Sequence, residues 1–186
     1  MSGRLVLKGR SGLGYYTDGS STFNTVIDTA GNVTAAANSI SSSELALNTI
    51  QTAEVTLTAT EIVGTAAGDI GHASGATLLA AQGAGTVVEF ISAVLIYDFD
   101  TAAYTGGGND LVIKQGSTTL TAAIAAADLL GASGDKIAQV TQLSASDQAL
   151  TANTGLSLVG TAYTQPGTAA GVLRVKLAYR VHSTGL

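Results

Sequence analysis

The stretch YDFDTAAYTGGGNDLVIKQG, residues 97–116, places Asp98, Asp100 and Asp110 around a triple glycine, with Tyr97 and Tyr104 alongside. Carboxylates next to Asn109 offer hard oxygen ligands, so calcium is the metal these residue types would suit. Consecutive glycines also invite comparison with a phosphate cradle. That motif needs a strand before it and a helix N-terminus after it, because the helix supplies N–H groups to the anion. Here both flanks read as strands, the neighbouring acids would repel phosphate, and no Gly-Lys-Ser/Thr occurs in the chain. EF-hand spacing is missing too. Asp and Asn are ordinary loop residues that bond their own backbone. The stretch is therefore expected to be the solvated tip of a hairpin, with calcium at Asp98, Asp100 and Asp110 as the alternative.

Other chemistry has little to stand on. His72 and His182 are far apart in sequence and have no companion at metal-ligand spacing. There is no Gly-x-Ser-x-Gly elbow for a serine nucleophile. With no cysteine there is no disulfide, thiolate metal site or thiol nucleophile. Neither an enzyme nor a cofactor is expected. The basic N-terminal residues Arg4, Lys8 and Arg10 suit docking on an acidic surface. Leu5 lies among them in RLVLK, which alternates like a strand able to extend a partner's sheet edge.

Charge and bulk point the same way. The chain of 186 residues is 46% hydrophobic but only 11% charged, where a soluble domain averages about 25%. Ser, Thr, Asn and Gly must solvate its surface, which favours a chain covered by copies of itself or by a partner. The signs are segregated along the sequence. No Lys or Arg falls between Ser11 and Ile113, where ten acids do, and GVLRVKLAYRVH carries Arg174, Lys176 and Arg180 without an acid. Such separation suits docking between complementary surfaces. It argues against nucleic acid, which calls for a larger basic patch interleaved with aromatics. The most apolar run, VVEFISAVLIYDF, is interrupted by Glu89 and too short for a membrane span. The N-terminus has no apolar core of signal-peptide length, which predicts a protein made in a cytoplasm.

Two regions must position these residues. Residues 1–50, rich in Ala, Ser, Thr and Asn, hold too little apolar bulk to close a core and are expected to form an extended docking arm. Residues 51–186 read as strands. EVTLTATEIV alternates, TVVEFISAVLIYDF has the near-continuous apolar character of a central strand covered on both sides, and DLVIKQG and GLSLVGT are short runs. The last strand sets Leu173, Val175, Leu177, Tyr179 and Val181 on one face and Arg174, Lys176, Arg180 and His182 on the other. Leu120, Ile124 and Ala127 fall at helical spacing before Gly131, so one short helix is predicted there. The fold class is all-β: an antiparallel β-sandwich, jelly-roll-like, with one short helix and the N-terminal arm.

In texture the chain resembles capsid cement (decoration) proteins of tailed bacteriophages, of jelly-roll type. The likeness is carried by GYYTDGSSTFNTVIDTAGNVTAA, AAYTGGGNDLVIKQGSTTL, ADLLGASGDKI and LSLVGTAYTQPGTAAGVLRVKLAYRV. It implies a homotrimer on the outer surface of a virion head, with the N-terminal arm gripping the major capsid protein. Phage tail fibres and receptor-binding components share this texture, and IDTAGNVTAA would suit a fibre. In that alternative Tyr97, Tyr104 and Tyr163 are the candidates for sugar contact. A carbohydrate- or calcium-binding module outside any virus is the remaining alternative.

Overall fold

The structure, a computed structural model, describes residues 4–7, 13–16, 25–27, 33–35, 49–106, 110–143, 151–161, 163–164 and 171–184, the first four stretches by their backbone alone. The chain divides into two compact units, Met1–Leu47 and Asn48–Leu186.

The first unit contains β1 (Arg4–Leu7), β2 (Leu13–Tyr16), β3 (Thr25–Ile27) and β4 (Val33–Ala35), paired in that order as one antiparallel sheet. Where composition predicts an extended arm, the described residues pair with one another. Leu5 lies opposite Tyr15, Val26 opposite Gly14 on one side and Thr34 on the other.

Among the described residues the second unit has eight strands: β5 (Gln51–Leu57), β6 (Ala76–Leu79), β7 (Thr86–Asp98), β8 (Val112–Gln115), β9 (Thr118–Thr119), β10 (Lys136–Thr141), β11 (Leu156–Val159) and β12 (Val172–Ser183). They form two antiparallel sheets, β10-β7-β12-β5 and β6-β11-β8-β9. The pairings are nested: first with last, β5 with β12, then β6 with β11, β7 with β10, and β8 with β9. One long hairpin ribbon, wrapped on itself and joined by β12–β7 and β11–β8, produces this order. That is the jelly roll, and the sandwich expected from the strand pattern is present. The ribbon reverses at Gly116, whose φ of +57° fits the first central position of a two-residue hairpin turn between Gln115 and Thr118.

The core lies between the sheets. Leu95, Tyr97, Leu173 and Val175 from one sheet and Ile113 and Leu158 from the other are fully buried. Gln115 crosses the gap, its amide donating to the Val88 carbonyl at 3.1 Å, so its burial leaves no donor stranded there. In β7 the inward positions are Val88 and Phe90, then Ala93, Leu95 and Tyr97. The parity changes because Ala178 and Tyr179 of β12 face Ser92 and Phe90, leaving Ile91 as the extra residue of a bulge. The near-continuous apolar run of β7 therefore reflects two alternating halves out of phase. It is a central strand, but its outward side chains are half-buried rather than covered.

Two local expectations are corrected. Over 120–131 there is no α-helix: Thr121 bridges Gln142, Ile124 bridges Leu111, and only Ala126–Asp128 forms a 3-10 turn. Pairing to the sheet outweighs weak helical spacing in an alanine-rich run. The α-helix, α1 (Ala59–Val63), lies instead within EVTLTATEIV. There the Glu61 carboxylate accepts from the Thr58 N–H and hydroxyl, both at 2.7 Å, and Ile62 plugs into the core.

Candidate functional site

The stretch 97–116 does not form a hairpin. β7 and β8 belong to opposite sheets, so the chain between them is an arch that crosses the sandwich end, as the jelly roll requires. Its acids disperse. Asp98 pairs with Arg174 at 2.9 Å, and Asp100 and Asp110 are exposed. Among the described residues no three His, Cys, Asp or Glu side chains come close enough to hold a metal ion. The calcium alternative at Asp98, Asp100 and Asp110 thus has no shared site. The arch is fixed by its backbone: the Phe99 N–H donates to Asp135 Oδ1 at 2.9 Å, and the Tyr104 N–H to the Leu130 carbonyl at 3.0 Å.

The aromatic side chains of this end point inward. Tyr97, Tyr104 and Tyr163 are 0, 2 and 4% exposed, so they offer no stacking platform to a sugar. They form a chain of rings, with Tyr104 centred 6.1 Å from Tyr97 and 6.5 Å from Tyr163, and Phe99 edge-on to Tyr97 at 6.3 Å. The Tyr104 hydroxyl donates to the Gly171 carbonyl at 2.6 Å. Gly171 is required there, because a Cβ would strike the Asp98 carbonyl and the Tyr97 ring. Among the described residues the hydroxyls of Tyr97 and Tyr163 are buried and have no hydrogen-bond partner. Burial pushes the Tyr104 and Tyr163 hydroxyls up to about 12, helped by Tyr97 in the first case and by the Asp110 charge in the second. These groups keep their protons at neutral pH and serve as core.

The outer face of β10-β7-β12-β5 carries a row of ion pairs. Outward residues of β12 meet acids of its neighbours: Arg174 with Asp98 at 2.9 Å, Lys176 with Glu54 at 3.4 Å, Arg180 with Glu89 at 3.3 Å, and His182 Nε2 with Glu89 at 2.8 Å. Charges segregated along the sequence are therefore paired in space within the sandwich. The basic face expected of the last strand is not left for an outside partner. The hydrogen bond from His182 and the charge of Arg180 hold the Glu89 carboxyl below the usual carboxylate range, against a smaller upward push from burial. A signal for this pairing was available: Glu54 and Glu89 occupy outward positions of alternating strands. Between the ion pairs lies an open depression of about 600 Å³, floored by Thr52, Ser92 and Ala178 and walled by Val94 and the Glu54–Lys176 pair. His72 is engaged locally, with Nδ1 2.6 Å from the Ser74 hydroxyl.

Of the docking residues read from the sequence, Arg4 and Leu5 fall in β1, while Lys8 and Arg10 lie outside the described residues. β1 is an edge strand of its sheet. Among the described residues no helix is long and apolar enough to cross a membrane. Comparison with protein-family models, with curated protein sequences and with solved structures gives no significant match.

Proposed function

We propose that this chain is a non-enzymatic virion structural protein, a cement protein that decorates the outer shell of a tailed-phage head and stabilises it by bridging major capsid subunits. The supporting observation is the jelly-roll unit, much of whose polar chemistry is spent on itself: its described tyrosines are buried and the charges of β12 are paired with its neighbours. Such a surface is built to adhere. The reading includes association with copies of itself as a homotrimer and synthesis in the host cytoplasm. It assigns docking on capsid to the first unit, where β1 carries Arg4 and Leu5 at a sheet edge able to accept a strand from a partner.

The physical rationale is linkage. Packed DNA presses a shell outward, and a protein that binds only the expanded lattice stabilises that lattice by mass action. Several weak contacts per oligomer then combine through effective concentration into slow release. The fibre alternative leaned on Tyr97, Tyr104 and Tyr163, which are buried.

The test removes the first unit. A chain of residues 48–186 keeps the sandwich by circular dichroism and fails to co-sediment with expanded heads that the full chain coats. Undiminished coating by the truncated chain would refute the docking role. Immunolabel on tails rather than heads would refute cement altogether.

A further inference from the structure

The sheet of the first unit has two edges, β1 and β4. An edge strand presents unpaired N–H and C=O groups, which another extended chain can use. The two edges differ in charge. Arg4, Lys8 and Arg10 are the basic residues of Met1–Leu47, and all fall within or shortly after β1. The acids of that unit, Asp18, Asp28 and Glu44, come later in the sequence. β4, Val33–Ala35, carries no charged residue. An acidic partner is therefore drawn to β1 rather than to β4, and a basic one is repelled from it.

The register dictates the sequence such a partner needs. Directly opposed residues of an antiparallel sheet share a face. Leu7 lies opposite Leu13, Leu13 opposite Ile27, and Ile27 opposite Val33, an aliphatic row across all four strands. Leu5, opposite Tyr15, belongs to the same face. Arg4 and Val6 belong to the other, where Arg4 is opposite Tyr16 and Val6 opposite Gly14. Strand alternation thus separates the leucines of β1 from its charge. In the sequence Lys8 and Arg10 keep the parity of Arg4. A fifth strand beside β1 would lengthen the aliphatic row on one face and meet Arg4 on the other. A second copy of β1 would bring the same basic residues, and like charge disfavours it.

We propose that the edge of β1 binds an extended segment of another protein that alternates aliphatic and acidic residues. Its aliphatic residues extend the face of Leu5 and Leu7, and an acid meets Arg4 on the face shared with Tyr16. Backbone pairing supplies the affinity, and the alternation supplies the specificity. The inference rests on the docking role given to the first unit, and its principal test needs no capsid.

The probes are short synthetic peptides and the receptor is the full chain. One peptide alternates Val and Glu, one alternates Val and Lys, and one carries Val and Glu in two separate blocks. Fluorescence anisotropy is expected to show binding of the first and not of the other two. R4E weakens binding of the Val/Glu peptide by about tenfold or more, and R4K keeps most of it. Two further Val/Glu peptides are N-methylated, one at every valine and one at every glutamate. A strand gives the N–H groups of alternate residues to a given neighbour, so one of the two loses binding and the other keeps it. Like behaviour of the methylated peptides, or equal binding of the alternating and block peptides, overturns the strand site. Preference for the Val/Lys peptide overturns the acidic partner. A light-scattering mass that falls in R4E gives the edge to a second copy and overturns the proposal as well. Sedimentation with expanded heads separates this site from the wider reading. Heads coated by a chain that binds no Val/Glu peptide would remove the acidic strand and keep the cement role, whereas peptide binding without coating would do the reverse.

Discussion

The two sheets of the sandwich share one core and differ in almost everything else. β7 and β12 run 13 and 12 residues, while no strand of the facing sheet exceeds four. The long sheet carries the ion pairs of its outer face; the short sheet contributes buried leucines, Ile113 and the cross-linking Gln115. The difference teaches a division of labour. A sheet with long central strands is a rigid platform that can present a surface, and the short strands close the platform's apolar side. Burial is needed from both, but only one has the length to display anything.

The strongest way to break this contrast is to delete buried bulk on each side of it. Leu95 in β7 and Leu158 in β11 are both fully buried. Truncating a buried leucine to alanine costs about 2–5 kcal/mol, more where the surroundings cannot collapse into the space. Leu95 is locked between β10 and β12 by ladders on both sides, so L95A is expected near the upper end of that range. Leu158 lies in a four-residue strand with a register shift against β6, where relaxation is easier, so L158A is expected near the lower end. Urea unfolding of both variants checks the order. Equal costs, or a larger one for Leu158, would mean that the short sheet is as rigid as the long one.

The tyrosine chain sharpens the comparison at the sandwich end. Removing a satisfied buried hydroxyl loses a hydrogen bond worth about 0.5–1.5 kcal/mol and strands its acceptor. Y104F therefore lowers the melting temperature, because the Gly171 carbonyl loses its donor. Y97F and Y163F remove hydroxyls that have no partner among the described residues, and are expected to be neutral or slightly stabilising. Alkali tests the same groups. Tyr104 and Tyr163 are raised from 10.0 to about 12. Their contribution to stability is thus complete below pH 10 and is lost as pH climbs through about 12. Tyrosinate absorbance rising in full by pH 11 without unfolding would contradict their burial.

How much of this was legible depends on which force decided each piece. Strand alternation in β12 was readable because its parity never changes over the strand, from Leu173 to Val181. β7 was harder: the bulge at Ile91 shifts the parity and makes two alternating halves look like one apolar run. The arch at 99–111 mimicked a hairpin because strand, glycines and strand in series do not say which sheet each strand joins. Pairing between Arg174 and Asp98 spans 76 residues, and no local pattern carries it. The helix at Ala59–Val63 had a local signature, Thr58 three residues before Glu61, hidden by the β-like alternation preceding it. At 120–131 the opposite happened, where helical spacing yielded to bridges with Leu111 and Gln142. For the proposed site the balance is less favourable, since edges exist only after the sheet order is known.

The smallest expected effect lies on the platform's outer face, where Glu89 accepts from both His182 and Arg180. Its side chain is 40% exposed, so solvent screens the pairing. Exposed ion pairs contribute about 0.2–1 kcal/mol, and E89Q should cost no more than that at neutral pH. The pH dependence is more diagnostic than the size. The hydrogen bond from His182, then the charge of Arg180, hold the Glu89 carboxyl below its ordinary 4.5. A lowered carboxyl contributes stability above the ordinary value, and that contribution disappears as pH falls through the lowered one. The gap in melting temperature between the unmodified chain and E89Q is accordingly widest above pH 5 and closes in acid, and added salt narrows it at every pH. A gap that persists in acid would assign Glu89 to packing rather than charge, and the long sheet's face would then owe its order to shape, as the short sheet's does.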